Sequence, residues 1–443
     1  MDKKNHNLKI VIGLGKTGIS VIKYLLKNES KILALDNKIS VSALEKLKNE
    51  FPSVAFHSDR FDDAFLCGAS EIIISPGVPL QNPFLQTAAA KKIPILGDIE
   101  LFARTNPSPI IAITGSNGKS TVTTLVGEIL QNSGKKVILA GNIGAPVLDH
   151  ADQNPDYYVL ELSSFQLETT YSLRPKIAVI LNLSEDHLDR YQNQFSYLKA
   201  KLRIYNNASI KLLNNDDDFI QNNLPTYSNN NYVKFSPSNQ KADFNINNNY
   251  ICAGNTPLFP LNLKGKHNVT NALVATAICT SLGISAEHIN ETLLKFSGLP
   301  HRCQYLRRIN EIDWYNDSKG TNVGATKSAL ESLGPTISGK IILIAGGIGK
   351  NADFFPLADV MAKYVKLTLL IGRDGHLIEA TLKQFSNFLY ATSIADAVKM
   401  AGKYASPGDL VILSPACASF DMFDNFEHRG KVFMDEVNKI PFE

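Results

Sequence analysis

The stretch "ITGSNGKST", Ile113 to Thr121, sets a lysine among glycines and hydroxyls, which is the equipment for gripping phosphate. An apolar run, "PIIAI", precedes it, and Val122, Leu125, Val126, Ile129 and Leu130 follow at i, i+3, i+4, i+7 and i+8 until Gly134. That is a buried strand, a glycine turn and an amphipathic helix. In such a turn the amides of Thr114, Gly115, Ser116, Asn117 and Gly118 and the helix dipole face phosphate oxygens. Lys119 would reach the β and γ phosphates, and Ser120 or Thr121 could hold Mg²⁺. The Walker A pattern asks for glycine where Ile113 stands, so the loop is either a damaged Walker motif or the signature of another ATPase family.

Metal chemistry needs carboxylates nearby, and two apolar runs end in them. "YYVLELSSFQLE" is interrupted only by Glu161, and "KIAVILNLSEDHLDRY" leads directly into Glu185, Asp186, His187 and Asp189. A lone carboxylate in a buried strand is costly unless paired or metal-bound. Alone, Glu161 reads as a salt-bridged core residue and His187 as a helix cap. Beside a phosphate loop, oxygen ligands at strand ends suit Mg²⁺, with His187 the less typical ligand.

A second glycine turn, "GLGKTG", spans Gly13 to Gly18 after an apolar strand, with Asp36 further on at the end of "KILALD". This G-x-G-x-x-G arrangement suits a dinucleotide pyrophosphate, which makes an NAD-dependent dehydrogenase a rival reading; glycines needed only for tight packing are another. "EIIISPGVP" ends a further strand in Ser75, Pro76 and Gly77, beside the first turn if the two strands share a sheet.

These motifs need scaffolds, and the chain has room for several. Its 443 residues exceed the ~250–300 at which single cores stop growing. Strands alternate with helical patterns, predicting an α/β protein of three domains: a Rossmann-like N-terminal domain over 1–97, a central P-loop-type ATPase domain over 98–300, and a Rossmann-like C-terminal domain over 301–443 with strands "KIILIAGG", "LTLLIG" and "DLVILSP". The asparagine-dense text between Asn214 and Asn255 reads as a surface meander of short strands.

Composition narrows the partners. Hydrophobic residues at 44%, charged residues at 20% and a net charge of +3 without basic clusters describe a soluble globular protein with a small-molecule partner and no nucleic acid. The five dispersed cysteines form no C-x-x-C pair and suit reduced thiols in a cytoplasm. No secretory signal and no run of ~18 apolar residues is visible, so the chain is expected not to span a membrane.

Ten strings in order carry a family resemblance: "TGSNGKST", "GNIG", "LELSSFQLETT", "SEDHLDRY", "KAKLRIY", "GKHNVTNALVA", "GLPHRC", "NDSKGTN", "GGIGK" and "SPACASFDMFDNFEHRG". Together they resemble the Mur ligases of peptidoglycan synthesis over essentially the whole chain, and most of all the members that add D-glutamate to UDP-N-acetylmuramoyl-L-alanine. In that family the loop has the form T-G-x-x-G-K-S/T, so Ile113 is a family trait. The resemblance implies ATP as phosphoryl donor, two Mg²⁺ ions, an acyl phosphate on the sugar nucleotide's carboxylate, and attack by the D-glutamate amine through a tetrahedral intermediate.

The resemblance also implies roles. Lys119 and Ser120 would hold phosphates and metal, Glu161 and His187 would ligate Mg²⁺, and Asn142 would support the phosphates and the substrate carboxylate. Lys201 matches the lysine that the family carbamylates with CO₂, giving an anion for a second Mg²⁺; from sequence alone Lys199 looks equally plausible. Asn268, Asn271, Arg302 and Asp317 match nucleotide contacts, with Lys319 toward phosphate. Thr321, Lys350, Ser419 and Phe426 match D-glutamate positions. Gly15, Thr17, Asp36, Asn37, Ser75 and Gly77 match uridine and diphosphate contacts, with Gln166 toward the sugar. Gly320 departs from the family's usual alanine, which adds flexibility and removes no functional group. A monomer is expected.

Other readings leave residues unused. A dehydrogenase ignores Lys119, and a mechanical or regulatory P-loop ATPase ignores the first domain. Folylpolyglutamate synthase lacks a first domain like 1–96. Another Mur ligase would add a different amino acid, but the diaminopimelate-adding member's D-N-P-R string is absent. A pure binding module leaves the catalytic positions idle.

Overall fold

The computed structural model describes residues 8–59, 61–187, 190–224, 232–261, 266–296 and 298–441, so Asp189 lies outside the described residues. Three sheets follow one another along the chain. The first contains β1 (Leu8–Ile12), β2 (Lys31–Leu35), β3 (Ala55–His57), β4 (Ala69–Ile74) and β5 (Ile95–Leu96), in the order β3-β2-β1-β4-β5. All its ladders are parallel. The order reverses beside β1, so the glycine turn after β1 and the Ser75–Gly77 loop after β4 share the crevice where open α/β sheets bind ligands.

The second sheet has β6 (Ile110–Thr114), β7 (Val137–Gly141), β8 (Tyr157–Glu161), β9 (Ile177–Ile180), β10 (Ile210–Asn214), β11 (Tyr232–Ser236), β12 (Phe244–Asn247), β13 (Tyr250–Ala253) and β14 (Thr256–Pro260). Its order, β14-β13-β12-β11-β10-β9-β6-β8-β7, puts β6 between β9 and β8. The phosphate loop, Glu161 and the Asp186–His187 loop therefore leave neighbouring strands at the same edge. Side-chain alternation explains the unbroken apolar sequence of β6. Ile110 and Ala112 pack into one core layer, Ile111 and Ile113 into the layer on the other face.

The described part of the asparagine-dense stretch is not a surface meander. Its described strands extend the second sheet, and Phe235, Phe244 and Ile251 are buried in the core under the helix Lys266–Ser281. Buried asparagines serve as bridges: Asn214 Nδ2 donates to the Leu181 carbonyl at 2.7 Å, and Asn245 Nδ2 to those of Ala242 and Gly254 at 3.0 and 2.9 Å. Burial of the alternate apolar residues overrides the turn preference of their neighbours.

The third sheet is built from β15 (Gln304–Ile309), β16 (Ile312–Asn316), β17 (Ile341–Gly346), β18 (Val365–Ile371), β19 (Asn387–Tyr390) and β20 (Leu410–Leu413), ordered β15-β16-β20-β17-β18-β19. Only β15 pairs antiparallel here. Two apolar layers cover its faces. By contrast, the first and second sheets share a layer that runs from Val11 and Ile22 through Phe102 and Leu148 to Leu160. No helix among the described residues is long and apolar enough to cross a membrane.

Candidate active site

The phosphate loop sits between β6 and the helix Lys119–Asn132, whose five expected apolar positions are all at most 2% exposed. Gly118 has φ +83°, and a Cβ there would meet Asn271 Oδ1 at 2.6 Å, so glycine is required twice over. The loop is braced from β9. The Asn117 amide donates to Asn182 Oδ1 at 2.9 Å, and Asn182 Nδ2 donates back to the Asn117 carbonyl at 3.1 Å. Thr114 is fully buried and its hydroxyl donates to the Leu162 carbonyl, which makes it part of the frame.

A cavity of about 650 Å³ lies over this loop. Ser116, Asn117, Gly118, Lys119, Asn142, Glu161, His187 and Lys201 of the second sheet line it, as do Arg302, Lys319, Thr321, Lys350, Ser419 and Phe426 of the third. A second cavity of about 390 Å³ shares Asn117, Gly118, Arg302 and Lys319 with it and adds Thr121, Asn268, Asn271 and Asp317. Phosphate-loop residues thus line both chambers, one carrying the expected nucleotide residues and the other the expected metal and amino-acid residues.

Charges in the larger chamber are arranged against their burial. Lys119 Nζ donates to the carbonyls of Gly115 at 2.9 Å and Ser116 at 3.0 Å. Lys201 is fully buried and also donates to the Gly115 carbonyl, at 2.9 Å. Burial first, and the Lys119 charge second, hold the Lys201 amine well below the usual lysine range. Lys199 is exposed, so the structure separates two lysines that the sequence could not. Burial likewise brings Lys319 down to about 8, and its ammonium lies 3.9 Å over the Phe426 ring.

Glu161 is 2% exposed at the end of β8. Asn142 Nδ2 donates to its Oε1 at 2.7 Å, while Oε2 has no hydrogen-bond partner. Burial would raise this carboxyl, but the Lys119 charge, the neighbouring Ser120 hydroxyl and the Asn142 hydrogen bond keep it below the ordinary value. An ionised, buried oxygen without a donor, beside the Ser120 hydroxyl, fits a hard cation such as Mg²⁺. Among the described residues no group of three or more His, Cys, Asp or Glu side chains could hold a metal by itself. The His187 ring lines the same chamber as Glu161 and packs edge-on against Phe165 with centroids 4.7 Å apart.

Several expected residues have other employment. Asp186, read as a metal candidate, accepts from Lys350 Nζ at 2.6 Å and from Asn322 Nδ2 at 3.1 Å. Burial opposes its ionisation, but Lys350, His187 and those hydrogen bonds bring it down to about 2. Glu185 is exposed. Gln166, expected toward a sugar, is 3% exposed and accepts the Ser163 amide at 3.1 Å in a helix-capping box, so it does not line the cavity. Gly320 is more than a flexible substitute: a Cβ there would meet Asp317 Oδ2 at 2.6 Å. The glycine admits that carboxyl, which also accepts from the Cys303 amide and the Ser414 hydroxyl and which burial pushes up to about 6.

The first-sheet residues form a separate cluster. Asp36 accepts from the amides of Leu14 and Lys38, both at 2.8 Å, and Ser75 Oγ donates to the Gly13 carbonyl at 2.8 Å. Gly13 and Gly18 are demanded by packing, whereas a Cβ at Gly15 or Gly77 would meet nothing within 4 Å, leaving open space above the turn beside Thr17. Asn37 lines a cavity of about 990 Å³ with Ser58, Asp59 and Phe61. Pro76, from the same loop as Ser75, reaches the central chamber. The sequence reading missed Asn182, Asn322, Arg190 and Tyr197 as supports of this site. Their only signal was adjacency to the motifs.

Three family descriptions match in chain order: "Mur ligase MurD-like, N-terminal domain" over residues 7–97, "Mur ligase middle domain" over 113–279, and "Mur ligase, glutamate ligase domain" over 301–417. A Coxiella burnetii protein described as UDP-N-acetylmuramoylalanine–D-glutamate ligase is 47% identical, covering 98% of this chain and 100% of its own. A Legionella pneumophila protein of the same description is 44% identical with the same coverage. Among solved structures, a pseudomurein peptide ligase type C from Methanothermus fervidus aligns at TM-score 0.63 and 19% identity, covering 98% of this chain and 100% of that one. A MurF ligase from Thermotoga maritima in complex with ADP aligns at TM-score 0.63 and 15% identity, covering 99% and 100%. These two show a shared fold. With relatives this similar over their whole length and three family matches in order, the chain belongs to the Mur ligase family.

Proposed function

We propose that the protein joins D-glutamate to UDP-N-acetylmuramoyl-L-alanine, using ATP and releasing ADP and phosphate, in the cytoplasmic synthesis of peptidoglycan precursors. One observation carries this reading: the phosphate-loop lysine, an unpartnered buried carboxylate oxygen, a depressed buried lysine and the Lys350 cation converge on one chamber. Relatives 44–47% identical over their full length that carry the D-glutamate ligase description support the choice of amino acid.

The chemistry is phosphoryl transfer followed by acyl transfer. A carboxylate oxygen of the sugar nucleotide bonds to the γ-phosphorus as ADP leaves. The D-glutamate amine then bonds to the carbonyl carbon, loses a proton, and expels phosphate. Little covalent work falls to the protein, so positioning and charge compensation supply the acceleration. Lys119 and the loop amides neutralise the transferring oxygens, and Arg302, whose Nη2 donates to Ser120 Oγ at 2.8 Å, brings a second cation from the third sheet. Asn268, Asn271 and Asp317 hold the nucleoside, with Lys319 at its phosphates. Thr321, Lys350, Ser419 and Phe426 hold the dianionic amino acid.

Mg²⁺ would be held by Ser120 and Glu161, with His187 beside them, and supplies Lewis-acid neutralisation of phosphate charge. A neutral Lys201 amine can react with CO₂ to give a carbamate and a proton, and that anion suits a second cation. Gly15, Thr17, Asp36, Asn37, Ser75 and Gly77 hold the uridine diphosphate, and the protein acts as a monomer. The test is ADP release measured with each component omitted in turn: all of ATP, Mg²⁺, UDP-N-acetylmuramoyl-L-alanine and D-glutamate are required. Robust turnover with L-lysine or diaminopimelate in place of D-glutamate would sink the assignment.

A further inference from the structure

Arg190 follows the His187 loop and has no part in the chemistry described so far. Its side chain is only 10% exposed, yet it does not line the chamber. All its visible work is on the walls. Nη1 donates to the Pro76 carbonyl at 2.8 Å and Nη2 to that of Val78 at 3.3 Å, both in the loop after β4 of the first sheet. Nη2 also donates to Glu168 Oε2 at 3.0 Å, and the guanidinium carbon stands 3.8 Å over the Phe165 ring. Phe165 in turn meets His187, and its other neighbour is Tyr191, 6.0 Å away and stacked.

One planar group therefore ties together two loops from different sheets. On one side the Ser75–Val78 turn closes on itself through the Val78 amide and is fastened to Gly13 by Ser75 Oγ. On the other, the amides of Arg190 and Tyr191 both donate to the His187 carbonyl at 2.9 Å. Pro76, Phe165 and His187 all line the chamber, with Arg190 behind them. A lysine could not do this, because a single ammonium cannot reach two carbonyls and a carboxylate in a fork while stacking flat on an aromatic face.

We propose that Arg190 is a positioning residue: it locks the sugar-nucleotide loop of the first sheet to the His187 loop of the second, so that the substrate's carboxylate arrives in register with the phosphate loop. This rests on the sugar-nucleotide reading of the first sheet. It goes beyond that reading in assigning the coupling of the two sheets' loops to one side chain that touches neither substrate nor metal.

The experiment compares the unmodified enzyme with Arg190→Lys and Arg190→Ala in the full chain. Arg190→Lys is expected to raise KM for UDP-N-acetylmuramoyl-L-alanine by about tenfold, while KM for ATP and for D-glutamate stays within about twofold. UDP binding, measured by calorimetry without turnover, weakens in parallel. Millimolar methylguanidinium is expected to restore part of the lost sugar-nucleotide affinity in Arg190→Ala and to do nothing for the unmodified enzyme. An unchanged KM for the sugar nucleotide in Arg190→Lys overturns the proposal, as does a rise in all three KM values together, which marks a general loss of structure. If the unmodified enzyme fails to turn over this sugar nucleotide, the functional reading falls, and the UDP calorimetry still decides the coupling: equal affinity in both proteins, or no UDP binding in either, overturns it.

Discussion

Lys119 and Lys201 share one acceptor: each places its Nζ 2.9 Å from the carbonyl oxygen of Gly115. Each ammonium disfavours the other, and burial together with the Lys119 charge holds the fully buried Lys201 amine well below the usual lysine range. The loop proposed to bind phosphate is thereby also the loop against which Lys201 is held.

Lys201→Ala should lower kcat by about 10²-fold, and short carboxylates added to the assay should restore part of it by standing in for the carbamate. Unchanged activity would remove the carbamate from the proposed mechanism. The same residue should be a burden on stability. Its pKa is lowered on folding, so the unfolded chain binds the extra proton below the ordinary lysine range and is favoured there. Lys201→Met should raise Tm at neutral pH by about 1–2 °C without ligands, as read by calorimetry, despite its lowered turnover.

Glu161→Gln should raise the Mg²⁺ concentration needed for half-maximal activity by about 10–100-fold, with Asn142→Ala causing a smaller rise because Asn142 orients the carboxylate through Oε1. A magnesium titration of the two variants checks this ordering. Equal Mg²⁺ dependence in Glu161→Gln and the unmodified enzyme would place the cation elsewhere.

Asp317 should impose an acid limb on nucleotide binding. Burial pushes its carboxyl up to about 6, so the anion is lost as pH falls through that value, and KM for ATP should rise about tenfold per pH unit further down. Asp317→Asn should bind ATP more weakly at pH 8 and show no such limb. Stability runs the other way. A carboxyl raised from ~4 in the unfolded chain to about 6 in the folded one costs nothing below pH 4, and its full penalty is present above pH 6. Thermal melts should therefore show Asp317→Asn gaining more at pH 7 than at pH 4.5.

Lys350 and Asp186 should separate binding from stability. Lys350→Met removes the proposed ligand of a D-glutamate carboxylate and should raise KM for D-glutamate by about 10²-fold. It also strands Asp186, which is 9% exposed, at a cost of about 2 kcal/mol after allowance for the part-exposed lysine. Adding Asp186→Asn should recover most of the Tm and none of the D-glutamate affinity. Because the Asp186 carboxyl is held at about 2, the stabilisation from this pair is present above pH 4 and is lost as pH falls toward 2.

The motifs were legible because each is local. A strand, a glycine turn and a helix surrounding Lys119 need only nearest-neighbour rules, and the apolar spacing from Val122 to Leu130 appears in the structure as a buried helix face. The same rules misread the stretch from Asn214 to Asn255. Asparagine's turn preference is a weak local bias, whereas the burial of Phe235, Phe244 and Ile251 comes from a sheet and a helix that sequence spacing cannot place.

By itself, then, the sequence determined which chemical groups are present and which strand ends carry them, since periodicity and turn chemistry act over a few residues. Tertiary structure alone decided which groups meet. It buried Lys201 and left Lys199 in solvent, spent Gln166 on a helix cap, and paired Asp186 with a lysine more than 160 positions away. It also set Arg190 against the loop of another sheet. Burial and charge pairing depend on distance in space, and the two lysines of "KAK" differ in nothing until the helix that carries them turns one face to the phosphate loop.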